Sequence, residues 1–207
     1  MKSGEFATWR PSSWKAVNCP LAFAHQQRVN ENNVDLNRNF IAFDRIPDNH
    51  GYHELHPSLM LDEWSDAAFE TAFDSMDAFR HRHGEKAFSD AFNGGQYAHD
   101  DGIFFGGREP QWSNRVFRKM LHEAIGPLAD VHFLDIHTGI GAYGRPFHIN
   151  FDKPGTRSRM LTEAVWGSDV FSNKESTHTA FASYQGLLMD AVVARDHWSL
   201  PGPTKAG

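Results

Sequence analysis

The chain has 207 residues, and its 40% apolar and 13% aromatic content predicts one globular domain rather than a disordered protein. A net charge of -6 and a pI near 6.1, with no cluster of Lys and Arg, argue against a nucleic-acid-binding surface. No apolar run approaches the roughly 18 residues of a membrane span, so we expect no membrane association. A single cysteine, Cys19, closes no intrachain disulfide, and the start lacks a signal-peptide pattern, so we expect a cytoplasmic protein.

Local composition sets the expected domain limits. Residues 1–16 are polar without a sustained period, and residues 201–207 are rich in Pro and Gly, so both ends are predicted to be tails. The single predicted domain spans residues 17–200. Near its start, the stretch Asn30–Asn39 is rich in asparagine, and short amide side chains favour loop backbone over helix or strand.

Apolar side chains at three- and four-residue spacing predict the helices in the middle of the chain. The first spans about residues 62 to 82, and the second spans residues 112 to 125, where Gly126 and Pro127 end it. A glycine-rich, turn-like stretch at residues 93–110 separates them. Two further helices are predicted at residues 157–166 and 184–197.

A short apolar run at residues 131–136, bounded by turn signals, is typical of a strand buried in a sheet. Helices around a buried strand predict an α/β fold with a mainly parallel central sheet and helices on both faces. Ligands bind at the carboxyl ends of strands in such sheets, which makes His137, directly after the run, a candidate site residue. A histidine that only caps the strand by hydrogen bonding is the alternative.

Three polar side chains in the first loop, Arg28, Asn37 and Arg38, are candidates for binding an anion. Guanidinium binds carboxylate through two parallel hydrogen bonds, a geometry that lysine cannot form. The pattern therefore predicts a substrate with a free carboxylate. The alternative is a surface loop whose arginines face solvent or pair with Asp35.

Two motifs resemble those of a known enzyme family. Residues 35–40, Asp-Leu-Asn-Arg-Asn-Phe, resemble the Asp-x-Asn-Arg-Asn-aromatic signature of the zinc carboxypeptidases. Residues 135–139, Asp-Ile-His-Thr-Gly, resemble the segment that supplies their third zinc ligand, and the two motifs occur in the family's order. The resemblance covers roughly residues 17 to 195 and is closest to an uncharacterised bacterial subgroup of the aspartoacylase and succinylglutamate desuccinylase-like branch.

The resemblance implies a fold, a cofactor and a reaction. The fold is that of the zinc carboxypeptidases, incomplete here because the family's opening strands should lie upstream of the matched segment. By resemblance, His137 binds one zinc ion, and Asn37 and Arg38 hold the substrate carboxylate. By the same resemblance, Arg28 polarises the scissile carbonyl or stabilises its oxyanion. The implied reaction is zinc-assisted hydrolysis of an amide in a small molecule or peptide that bears a free carboxylate.

The sequence departs from the family at the other zinc ligands and at the general base. The family's His-x-x-Glu motif should precede the Asn-Arg pair, but residues 1–36 contain only His25, followed by Gln26 and Gln27. Glu163 and Glu175 lack the flanking pattern of the family's catalytic glutamate. We therefore expect a fragment truncated at both ends, with impaired activity. A non-catalytic pseudoenzyme that only binds carboxylates, or a chain that borrows ligands from a partner, are the alternatives.

Other histidine and acid pairs are interpreted without a catalytic role. His53-Glu54 and His122-Glu123 place the acid next to the histidine rather than three residues after it, and His56 follows the Asn-Arg pair, against the family's order. These histidines are predicted to be ordinary surface or core residues. A structural or interaction protein with no small-molecule site is a further alternative.

Overall fold

The computed structural model describes residues 28–125, 133–136, 143–144, 148–150, 152, 155–167, 171–172 and 182–193. These residues contain one 3-10 turn, Leu36–Arg38, together with six α-helices and two short strands. In chain order the helices are α1 (His50–Leu59), α2 (Asp66–His83), α3 (Glu85–Asn93), α4 (Trp112–Ile125), α5 (Arg157–Trp166) and α6 (Leu188–Val193). The strands are β1 (Ile149–Asn150) and β2 (Phe171–Ser172). None of the helices in this part of the chain is both long and apolar enough to cross a membrane.

The described residues do not form the predicted α/β fold with a mainly parallel central sheet, so that prediction is wrong. Helix accounts for 52% of them, and β1 and β2 pair in parallel over two residues each. Of the strand predicted at residues 131–136, residues 133–136 are described and lie outside regular structure, with Leu134 60% and Ile136 84% exposed. A strand in a covered sheet buries both faces, whereas these apolar side chains face solvent.

Each of the four predicted helices coincides with or overlaps an observed helix. α4 and α5 have the predicted bounds. α2 begins at Asp66 rather than near residue 62, because the Ser65 hydroxyl accepts a hydrogen bond from Ala68 N at 3.2 Å and so caps the helix there. α6 lies within the predicted residues 184–197, of which residues 194–197 lie outside the described part of the chain.

One of the two hydrophobic cores among the described residues lies between α1, α2 and α3. Its buried members are Leu55, Phe79, Phe88 and Ala91. Two helices of this core, α1 and α3, are not among the predicted ones. The Asn49 side chain links them, because it accepts from Tyr52 N at 3.1 Å at the start of α1 and donates to Ala91 O of α3 at 3.0 Å.

The second core forms where the chain leaves the 3-10 turn. Phe40 packs there with Phe117 and Leu121 of α4 and with Ala191 of α6, and the Phe40 and Phe117 rings meet edge to face at 5.6 Å. Residues 94–111, which we call the connecting loop, run from α3 to α4. The first part of this loop bonds Arg38 of the 3-10 turn, its last part bonds Asp35 and Asn39 on either side of that turn, and its middle bonds His56 of α1. The loop therefore brings polar side chains of both regions together.

Candidate functional site

The residues predicted to bind a carboxylate lie in residues 28–40, which we call the arginine loop. Asp35 precedes the 3-10 turn, and its Oδ1 accepts a hydrogen bond from Asn37 N at 3.0 Å, as an N-cap does. Asn39 is fully buried and donates through Nδ2 to Gly106 O at 2.7 Å and Glu109 O at 3.0 Å. The asparagine-rich stretch is therefore mostly loop, as predicted, and its amides bind the connecting loop.

Arg38 is buried inside this arrangement, with 4% of its surface exposed. Its guanidinium donates to two backbone carbonyls, from Nη1 to Asn37 O at 2.6 Å and from Nη2 to Asn93 O at 2.8 Å. Nε is buried and has no hydrogen-bond partner among the described residues. The pKa of Arg38 is lowered, mainly because the side chain is buried. The negative charge of Asp35 opposes this shift, and the positive charge of Arg28 adds to it. Because arginine stays protonated in proteins, a positive charge lies within the turn.

Aromatic rings and one glycine shape the space around Arg38. Its guanidinium carbon lies 5.3 Å from the ring centroid of Phe104 and 5.1 Å from that of Tyr184, within the range of a cation–π contact. Gly95 lies against the aliphatic stem: a Cβ there would be 2.5 Å from Arg38 Cδ, and its φ of 99° favours glycine. The Tyr97 hydroxyl donates to Arg38 O at 2.7 Å. The described contacts therefore hold both the backbone and the side chain of Arg38.

Arg28 lies at the surface beside Arg38. Its side chain is 58% exposed, and its Nη2 is 2.9 Å from Oδ2 of Asp35, whose side chain is 3% exposed. Its guanidinium carbon lies 5.2 Å from the centroid of Phe104, the ring that Arg38 also faces. The structure thus places the guanidinium groups of Arg28 and Arg38 beside one aromatic ring, and Arg28 and the backbone N of Asn37 contact the Asp35 carboxylate. The Asn37 side chain points elsewhere, since its Oδ1 accepts from Leu188 N at 3.2 Å.

His137, the predicted zinc ligand, lies outside the described residues, so its role stays a prediction. The described contacts of the arginine loop residues Arg28, Asn37 and Arg38 include no imidazole. Glu163, which lacks the flanking pattern of a catalytic glutamate, lies on α5 and accepts from Arg159 Nε at 2.6 Å. A helical ion pair of that spacing is an ordinary structural contact.

A second group of polar side chains lies where the sequence predicts ordinary histidines. His53 and His56 lie one turn apart on α1, and His99 lies in the middle of the connecting loop. His53 Nδ1 is 2.8 Å from His99 Nε2, and the rings of His56 and His99 stack with centroids 3.8 Å apart. These three histidines and the carboxylates of Asp48 and Asp101 form what we call the histidine cluster.

The two carboxylates complete the histidine cluster. Asp48 Oδ1 lies 2.9 Å from His53 Nε2, and Asp101 Oδ1 lies 3.0 Å from His56 Nε2. The hydrogen bond from His53 lowers the pKa of Asp48, and burial, followed by the charges of His56 and His53, lowers the pKa of His99. Among the described residues, two triplets have metal-binding atoms within 4.8 Å of one another: Asp48, His50 and His53, and His56, His99 and Asp101.

The sequence contains only part of the signal for this cluster. His53 and His56 are three residues apart, a spacing that puts both on one face of a helix, but α1 itself is not predicted from apolar spacing. His99 and Asp101 come from a distant loop, and no local pattern joins them to α1. Only the fold of the connecting loop brings the two halves together.

Comparison with known proteins identifies one family. The model of a family described as a protein of unknown function (DUF2817) matches residues 15–198. No curated protein and no solved structure matches the chain. The matched residues include both arginines of the arginine loop, the whole histidine cluster and His137. Because the match covers most of its length, the chain belongs to the DUF2817 family.

Proposed function

We propose that the protein is a zinc-dependent, carboxypeptidase-like amide hydrolase that acts on a small molecule or peptide with a free carboxylate. Two kinds of observation support this proposal. Residues 35–40 and 135–139 resemble two motifs of the zinc carboxypeptidases. The geometry of the arginine loop, which carries the first motif, suits the binding of an anion.

The observation that carries the proposal is the convergence of two arginines on one aromatic ring. The guanidinium carbons of Arg28 and Arg38 lie 5.2 Å and 5.3 Å from the centroid of Phe104. Asp35 pairs with Arg28 and is the carboxylate that raises the pKa of Arg38. Two positive charges next to one negative charge leave an excess of positive charge beside an exposed guanidinium, which favours an incoming carboxylate.

The two arginines take different roles in this proposal. Arg28 makes the direct contact with the substrate carboxylate, because most of its side chain is exposed. Arg38 donates inward to backbone carbonyls, so it contributes charge and fixes the loop. Asn37 Oδ1 accepts from Leu188 N at 3.2 Å, and its Nδ2 donates to no described residue, which leaves that group for the second carboxylate oxygen. The resemblance alone implies a different assignment of roles, in which Arg38 binds the substrate carboxylate and Arg28 acts on the scissile carbonyl.

Among the described residues, no histidine that could bind zinc contacts Arg28, Asn37 or Arg38. A catalytic zinc takes three protein ligands, most often with imidazoles among them, and the described contacts of Arg28, Asn37 and Arg38 contain none. We therefore assign these residues to substrate binding and assign them no step at a metal. His137 remains the predicted ligand of the zinc.

Binding of matched ligands tests the substrate class. N-acetylglycine carries a free carboxylate and N-acetylglycinamide does not, so calorimetry should detect binding of the first and little of the second. Arg28→Ala should weaken N-acetylglycine binding about tenfold or more, and Arg28→Lys should restore part of it. Arg108→Ala, which removes an exposed arginine paired with Asp100, is the matched control and should bind as the parent does.

The outcomes also separate the enzyme from a non-catalytic binder. Release of glycine from N-acetylglycine in the presence of zinc supports hydrolysis. Carboxylate-dependent binding with no release of glycine at any zinc concentration favours a non-catalytic binding protein. Equal affinity for the acid and the amide, or unchanged affinity in Arg28→Ala, would contradict carboxylate recognition by this loop.

A further inference from the structure

We propose that His56, His99 and Asp101 bind a divalent transition-metal ion of the zinc class, and that Asp48 and His53 orient His99 from outside the coordination sphere. None of these residues is the zinc ligand that the resemblance implies, His137, and the proposal does not depend on the proposed hydrolysis. Two imidazoles and one carboxylate are ligands that zinc accepts, whereas calcium and magnesium are bound by oxygen ligands.

The three side chains already lie close enough to share one ion. A ligand atom of each lies within 4.8 Å of the other two, and His56 Nε2 is 3.0 Å from Asp101 Oδ1. Around a tetrahedral zinc with bonds of about 2.1 Å, neighbouring ligand atoms are about 3.4 Å apart. Rotamer adjustments of about 1 Å therefore suffice to enclose the ion.

The contacts of His99 determine which of its nitrogens faces the metal. His53 Nε2 donates to Asp48 Oδ1 at 2.9 Å, so in a neutral ring His53 Nδ1 has the lone pair and accepts from His99 Nε2 at 2.8 Å. In that tautomer His99 Nδ1 carries the lone pair that a metal needs. Ligating histidines usually donate their other nitrogen to an outer partner, and here the outer partners are His53 and, behind it, Asp48.

The connecting loop holds His99 in place through backbone hydrogen bonds. Gln96, which is 1% exposed, accepts from His99 N at 2.8 Å through Oε1 and donates to His99 O at 2.6 Å through Nε2. Asn33 Nδ2 donates to Asp100 O at 2.9 Å and to Gly102 O at 2.8 Å, on either side of Asp101. A backbone fixed at these points reduces the entropy lost when the side chains close on an ion.

Exposure favours this triplet over the neighbouring one. The His56 side chain is 17% exposed and that of Asp101 is 60% exposed, so the site is partly enclosed yet open on the carboxylate side. Water can fill the remaining coordination position there. In the other triplet the His50 side chain is 90% exposed, and ordering such a side chain around an ion costs more conformational entropy.

Zinc titration of the full chain, with zinc chloride as the probe, tests the proposal. The parent should bind zinc through this site, and His56→Asn and His99→Asn should each weaken its affinity at least tenfold. His81→Asn, at an exposed histidine of α2, and His50→Asn should leave the affinity unchanged. Cobalt in place of zinc should give visible absorption bands in the parent, and the two ligand variants should lose the part of these bands that His137→Asn retains.

One variant separates this site from the predicted catalytic zinc. His137→Asn should retain the zinc and cobalt signals of the histidine cluster. If zinc binding is lost in His137→Asn and kept in His56→Asn and His99→Asn, the inference fails while the proposed function gains support. Absence of zinc binding in the parent, or unchanged affinity in both ligand variants, would overturn the inference.

A further variant protects the test against misfolding. Asp48→Asn changes a side chain that is 50% exposed and leaves all three proposed ligands in place. It should weaken zinc binding up to about tenfold while the helical circular dichroism stays that of the parent. Retained parental affinity in Asp48→Asn would overturn the assignment of Asp48 as an outer partner.

Discussion

The arginine loop and the histidine cluster share the connecting loop, but they use their polar side chains differently. In the arginine loop, Arg38 and Asn39 are buried and direct their hydrogen bonds to backbone carbonyls. In the histidine cluster, His53, His56 and His99 contact carboxylates and each other through side chains that are partly exposed.

This difference distinguishes polar side chains that hold the fold from polar side chains that can bind a ligand. A side chain that bonds backbone carbonyls fixes loop conformation, and its removal leaves buried acceptors without donors. A side chain that bonds other side chains can exchange those partners for a ligand at little cost to the backbone. Substitutions in the arginine loop should therefore mainly change stability, with the exposed Arg28 as the exception, and substitutions in the histidine cluster should mainly change binding.

The largest expected effect comes from Arg38→Ala. This change removes two charge-assisted hydrogen bonds and the contacts with Phe104 and Tyr184. We expect the free energy of unfolding to fall by about 4 kcal/mol. His99→Asn, at the other site, should lower it by about 1 kcal/mol. Urea denaturation followed by circular dichroism measures both.

Arg38→Lys sharpens this test, because an ammonium group keeps the charge but lacks the planar fork that spans two carbonyls. It should recover less than half of the stability lost in Arg38→Ala. If Arg38→Ala and His99→Asn cost the same, the contrast between a structural loop and a reactive cluster is wrong.

A smaller effect is expected from Gly95→Ala, which adds one methyl group against the Arg38 stem. The new Cβ would lie 2.5 Å from Arg38 Cδ at a φ of 99°, so we expect a loss of about 3 kcal/mol from steric overlap and backbone strain together. Gly84→Ala is the matched control, because its φ of 85° is similar and no atom lies within 4 Å of its Cβ. The φ of 85° and ψ of 162° of Gly84 are nearly restricted to glycine, so that variant should lose about 2 kcal/mol from backbone strain alone. Equal losses in the two variants would mean that the Arg38 side chain moves aside without cost.

The sequence predicts those parts of the fold that local patterns determine. Apolar spacing closed by Gly126 and Pro127 gives the bounds of α4, and start and stop signals give those of α5. Ser65, a preferred capping residue, explains where α2 begins. The run at residues 131–136 misleads because a short apolar stretch has no length or period that separates a strand from an exposed segment. Whether its side chains are covered depends on other parts of the chain.

The same limit applies to the sites. The motif at residues 35–40 marks the arginine loop, and the structure places the guanidinium groups of Arg28 and Arg38 beside one aromatic ring. The motif does not indicate that Arg38 is buried and Arg28 exposed, since this depends on contacts with Phe104 and Gly95 of the connecting loop. The histidine cluster depends wholly on contacts between distant segments, so no local pattern contains it.

The smallest expected effect appears only at alkaline pH and compares one buried tyrosine from each region. Tyr97 bonds Arg38 O, and the ring of Tyr52 lies 5.9 Å from that of His56. Burial raises the pKa of Tyr52 to about 12 and raises that of Tyr97 further. Because both folded-state pKa values exceed the unfolded value of about 10, the stability is present below pH 10 and is lost as the pH rises through the folded-state pKa.

Urea denaturation at about pH 8 and about pH 11 should therefore show a lower free energy of unfolding at the higher pH, by about 1 kcal/mol for each of these phenols. Tyr52→Phe and Tyr97→Phe should each reduce that alkaline loss, and Tyr143→Phe, at a fully exposed position, should reduce it less. If Tyr97→Phe reduces the alkaline loss and Tyr52→Phe does not, hydroxide reaches the Tyr52 hydroxyl in the folded state. In that case the difference between a buried arginine loop and a partly exposed histidine cluster would also hold for Tyr97 and Tyr52, the tyrosines that contact them.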